Sequence, residues 1–76
     1  MCLGIPGRIT KVWEQGGARM ADVDFAGTPR PICLSYLPDL AVGDYLIAHM
    51  GYALTKISEY EALVTLGVMR SCGVLP

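Results

Sequence analysis

Glycine-centred turns cut the chain up to Ile57 into runs too short for helices but long enough for strands. Gln15-Gly16-Gly17 and Ala26-Gly27 are turns, and Met50-Gly51 is a tight connection. The intervening runs read as five strands: Gly7 to Glu14, Met20 to Phe25, Ile32 to Leu37, Tyr45 to His49 and Tyr52 to Ile57. In the first, Ile9, Lys11 and Trp13 share one face, and Arg8, Thr10 and Val12 the other. In the second, Val23 and Phe25 oppose Asp22 and Asp24. Thr28-Pro29-Arg30-Pro31 lacks two ladder donors and reads as an edge or a bent entry. Pro38 to Asp44 is a loop whose Val42-Gly43-Asp44 step introduces the fourth strand.

After Ile57 the period changes. Ser58-Glu59-Tyr60-Glu61 fits a capping box, and Ala62, Leu63, Leu66 and Met69 follow at helical spacing. The helix should span 58–70, with Arg70 at the negative end of its dipole and Gly73 beyond it. The expected fold is mainly β, a small OB-fold-like five-stranded antiparallel barrel with a C-terminal helix. It forms a single domain over 1–76, in which 1–57 is the barrel with an N-terminal hook, 58–70 the helix and 71–76 a tail.

Composition narrows the function classes. A chain of 76 residues has a small core. Its 53% hydrophobic content against only 17% charged residues leaves apolar side chains for the surface, which suits a protein partner. The net charge of −1 argues against a nucleic-acid partner, since phosphate binding needs a basic surface. No run of about 18 apolar residues supports a membrane span, and no charged and apolar N-terminal pattern supports a signal peptide. The odd cysteine number, 3, points to a reducing compartment and the cytoplasm.

The first seven residues form a shaped hook with Cys2 at its tip. Leu3 and Ile5 can pack down, while Gly4 and Gly7 permit backbone angles that other residues resist. Pro6 fixes its own φ and extends Ile5. If the initiator Met is removed in the cell, the Cys2 thiol and the α-amine share one carbon. A thiolate at such a tip is a nucleophile and a soft-metal ligand, against the bland reading of an incidental terminal residue.

His49 is the sole histidine and lies where the fourth strand meets Gly51, at one end of the barrel. Imidazole ligates metals or shuttles protons, although a lone histidine in an apolar strand is more often a satisfied core residue. Gly51 serves that site or is a plain hairpin glycine. Cys33 reads as a small buried hydrophobe, and Cys72 has no assigned role. Spacings of 31, 16 and 23 residues along Cys2, Cys33, His49 and Cys72 argue against structural zinc, whose ligands come in close pairs. Trp13, Phe25, Tyr36, Tyr45 and Tyr52 are stacking platforms for single-stranded nucleic acid or, more simply, core and cross-strand packing.

Together these residues resemble the HypC/HybG/HupF family of hydrogenase maturation chaperones. The resemblance rests on Met1-Cys2-Leu3-Gly4-Ile5-Pro6-Gly7, Leu37-Pro38-Asp39, Val42-Gly43-Asp44-Tyr45 and His49-Met50-Gly51-Tyr52-Ala53, and extends to about Leu66. It implies an OB-like barrel and an assembly chaperone rather than an enzyme. With a HypD-type protein, such a chaperone forms the scaffold on which iron acquires two cyanides and a carbon monoxide. It then delivers this Fe(CN)2CO group to the hydrogenase large-subunit precursor. The resemblance implies that Cys2 holds the iron group transiently, shared with the partner, and that His49 acts beside it. Leu3, Gly4, Ile5, Pro6 and Gly7 would form the docking hook, with Gly51 supporting the motif. The family often carries Ala and Phe where this chain has Met50 and Tyr52, changes that should leave the fold undisturbed. The competing reading is a generic OB-type module that binds through its aromatic face, with Cys2 incidental.

Overall fold

A computed structural model describes residues 4–75. Five strands, β1 (Gly7–Gln15), β2 (Ala18–Phe25), β3 (Thr28–Cys33), β4 (Tyr45–His49) and β5 (Tyr52–Ile57), precede one helix, α1 (Glu59–Ser71). The strands close into a barrel in the order β1-β2-β3-β5-β4, with β4 returning to β1. The β3–β5 seam is parallel and the others are antiparallel. The architecture is the expected small OB-fold-like barrel with a C-terminal helix. No described helix is long and apolar enough to cross a membrane.

Each of the three hairpins turns in two residues, joining Gln15 to Ala18, Phe25 to Thr28 and His49 to Tyr52. Both central residues have positive φ in every case, as type I′ turns require. The barrel interior is filled by Ile9, Ala21, Val23, Ile32, Leu34, Leu40, Leu46, Ala48 and Ala53. Three of these are alanines, which suits a lumen narrow enough to be closed by side chains alone.

Two strands depart from their expected pattern. In β1 the ladder slips between Ile9 and Lys11, leaving Thr10 as the extra residue of a bulge. A one-residue slip exchanges faces. Ile9 and Val12 therefore face the core, while Lys11 and Trp13 no longer share a face with Ile9. The third strand lies four residues upstream of its expected position, at Thr28–Cys33, and Leu34 to Leu37 turn away into the loop. The Leu34 N–H donates to the Arg19 carbonyl on β2, whereas the Cys33 N–H donates to the Gly51 carbonyl on the other side. Alternation then points the nitrogens of Pro29 and Pro31 away from β2, where no ladder bond is lost. β3 meets β5 only at Cys33–Tyr52, so most of that edge stays open.

The loop before β4 is tied down by polar contacts. The Asp44 carboxylate accepts from the Ala41 N–H, while the Gly43 N–H donates to the Ile9 carbonyl and the Ile9 N–H to the Asp44 carbonyl. Arg19 reaches 2.9 Å to the Leu40 carbonyl.

Helix α1 begins as expected. Ser58 Oγ accepts from the Glu61 N–H at 3.0 Å, although the return bond of a full capping box is not made among the described residues. The helix runs to Ser71, one residue past Arg70. It ends in a Schellman motif in which Gly73 and Val74 donate to the Arg70 and Met69 carbonyls. Only Ala62 and Leu66 are buried. Leu63, expected on the inner face, is exposed, together with Tyr60, Val64 and Val68.

Candidate functional site

His49 is the last residue of β4, and its position follows from the hairpin. Ala48 points into the core, so alternation sends the next side chain outward. The imidazole is exposed and has no hydrogen-bond partner among the described residues. A second ladder slip lies between Ile47 and Ala48, just before the hairpin tip, and bulges commonly re-aim side chains at such places.

The described part of the hook, Gly4 to Gly7, arrives at the same end of the barrel, where Ile5 and His49 line one groove. Gly4 has φ +75°, as its type permits. Pro6 is fully buried and anchors the entry into β1. Gly7 serves differently from its expected role. Its φ is not positive, but a Cβ there would overlap Val23 Cγ1 and the Phe25 ring. Glycine at this position lets β1 start beneath Phe25, which holds the hook against the barrel. Cys2 and Leu3 lie outside the described residues.

Ile5, His49, Met50 and Gly51 line one groove of about 710 Å³. Phe25 and Ala26 of the β2–β3 hairpin and the open edge of β3 supply its other wall. Leu75 of the C-terminal tail also lines it, which gives that tail a place the sequence did not suggest. The lining is predominantly apolar, with His49, Thr28 and Arg30 as its polar side chains. The structure thus brings together His49, Gly51 and the described part of the hook. Gly51 is a hairpin glycine at φ +85°, and its carbonyl also closes the β3–β5 seam.

Cys33 was expected in the core but faces outward, because Ile32 and Leu34 on either side point in. It is half-buried, with Sγ 3.0 Å from the Ser35 hydroxyl. The aromatic residues are also not core. Among the five, Phe25 alone packs against the buried cluster, and Tyr36 and Tyr52 are exposed with ring centroids 5.4 Å apart. Register aligns Trp13, Met20, Cys33, Tyr52 and His49 as successive cross-strand neighbours, all pointing outward. This row meets the groove at His49. Cys72 is exposed at the end of α1 and is not among the residues that line the groove. Among the described residues, no three His, Cys, Asp or Glu side chains gather as a metal cage would need.

Sequence reasoning missed Ala26, Met50, Arg30 and Leu75 as groove residues. A signal existed for the first two. Both favoured two-residue hairpin turns demand positive φ at the first turn position, and Ala-Gly and Met-Gly place an ordinary L-residue there.

Comparison with known proteins gives a consistent picture. Residues 1–69 match the HupF/HypC family. A hydrogenase maturation factor HypC from Cupriavidus necator is 43% identical over 67 residues, covering 87% of this chain and 70% of that protein. One from Azotobacter chroococcum is 40% identical over 75 residues, covering 99% and 86%. A third, from Synechocystis, is 34% identical over 76 residues, covering 97% and 100%.

Proposed function

The chain belongs to the HupF/HypC family, and from that premise we propose that it is a hydrogenase maturation chaperone that carries an iron group between two protein partners. The observation that supports this most is the convergence of the hook and His49 on one apolar groove. Covalent geometry keeps a residue three positions upstream of Ile5 within about 11 Å of it. Cys2 itself lies outside the described residues, and the reading requires its thiol to reach the groove that His49 lines.

In this reading the cargo is iron bearing two cyanides and one carbon monoxide, assembled with a HypD-type protein and passed to the hydrogenase large-subunit precursor. Such iron is a soft centre, for which thiolate is a suitable ligand. A single ligand on a terminal segment releases its cargo by ligand exchange, which a closed four-ligand cage would resist. In this reading the exposed imidazole ligates the iron, relays a proton or orients the hook. The apolar walls exclude water once a partner covers the groove. No catalytic residue is assigned, and the setting is the cytoplasm.

Complementation tests the reading in a host strain lacking its own copy of this protein. Cys2→Ala should abolish hydrogenase activity, and His49→Ala should lower it at least tenfold, with both variants as thermally stable as the parent. Full activity with Cys2→Ala would overturn the carrier role. If Trp13→Ala then proved the damaging change, binding through the outer aromatic row would be favoured instead.

A further inference from the structure

Ala26 at φ 52° and Met50 at φ 53° are the two residues other than glycine with positive φ among the described residues. Both are first turn residues of type I′ hairpins, and both line the groove. The third hairpin, Gly16-Gly17, does not line it and uses glycine at that position. Among the described residues, positive-φ strain outside glycine is therefore concentrated at one groove, as it often is at ligand clamps. Met50 is also 81% exposed, so packing within the chain does not compensate its strain.

We infer that Met50 and Ala26 form the two tips of a clamp that grips an apolar, acid-bearing segment of the partner protein. This deepens the proposed function and rests on it. Two features of the groove define the occupant. Arg30 is the one charged side chain of the lining and makes no ion pair among the described residues, so a carboxylate on the incoming segment complements it. The open β3 edge above Cys33 presents Pro29 and Pro31, which have no N–H to donate. An added strand is thus disfavoured, and the occupant docks through side chains, from a helix or loop. Methionine suits that contact because its flexible thioether adapts to an irregular apolar surface.

The test measures thermal stability and anaerobic affinity for the purified HypD-type partner in the same variants. Asn-Gly is the preferred type I′ pair, so Met50→Asn should relieve strain and raise Tm by about 4 °C or more. It should nevertheless weaken partner binding about tenfold or more. Met50→Leu should keep both the affinity and the original Tm. Arg30→Gln should weaken binding and flatten its salt dependence, and Arg30→Lys should restore most of both. Unchanged affinity in Met50→Asn would overturn the clamp while leaving the chaperone reading intact. Failure of the parent protein to bind the partner would overturn both. A homodimer that Met50→Asn dissociates would replace the partner with a second copy of this chain and so also overturn the proposal.

Discussion

At the scale of single residues, substitution at Gly7 separates conformation from space. Gly7→Ala should cost about 1–3 kcal/mol, because the added methyl must displace Val23 and Phe25 from a packed interior. Chemical denaturation of parent and variant measures this directly, and a change below about 0.5 kcal/mol would mean the hook is not pinned there. The sequence announced that position 7 needed glycine, but not why. φ and steric contact are indistinguishable in a one-letter string, and the contact comes from strand β2. His49 shows the same division. Its place at a strand end was legible from Met50-Gly51, whereas its outward aim depends on alternation through Ala48. The inward assignment of Cys33 failed for a related reason. Apolar neighbours on both sides made it look buried, yet in a strand they are what turns it outward. Strain at Met50 costs about 1–2 kcal/mol and is visible only once the turn type is known.

Among the elements, hairpins and the helix start were the most legible, because each is fixed by local chemistry. Paired turn residues set β4 and β5 at their expected bounds. Ser58 caps α1, and Ser58→Ala should cost about 1 kcal/mol, lowering Tm by about 4–8 °C. A melting curve measures this, and an unchanged Tm would show that the helix is held by packing alone. Strand β3 was the least legible. Its two prolines suggested an entry segment, but closure of the barrel leaves one edge of β3 mostly unpaired, and prolines are tolerated there. That edge is set by the parallel β3–β5 pairing, a long-range event with no local sequence mark. The bulge at Thr10 was hidden likewise, since only the partner strand reveals which residue is extra. The apolar spacing of α1 overstated its inner face, because the short helix meets the barrel chiefly through Ala62 and Leu66.

For the whole molecule, the composition pointed correctly to apolar surface in excess of what a small core absorbs. That surface is distributed between the groove, the outer row ending at His49 and the exposed flank of α1. The barrel supplies a rigid end on which a short N-terminal segment is presented, with Pro6 buried as its anchor. A carrier needs this combination: a fixed platform that a partner recognises and a single soft ligand that can let go. Fold and family were readable because the motif residues are also the residues that shape the hook and the hairpin. The groove was not, because four separate stretches of the chain build it.

Infrared spectroscopy of the complex with the proposed HypD-type partner, purified anaerobically, tests the proposed carrier function most directly. Cyanide and carbon monoxide stretching bands should be present with the parent protein and absent with Cys2→Ala, while the variant keeps its melting temperature. A complex whose bands are equally strong with Cys2→Ala, or one that lacks both bands and iron with the parent protein, would contradict the carrier function.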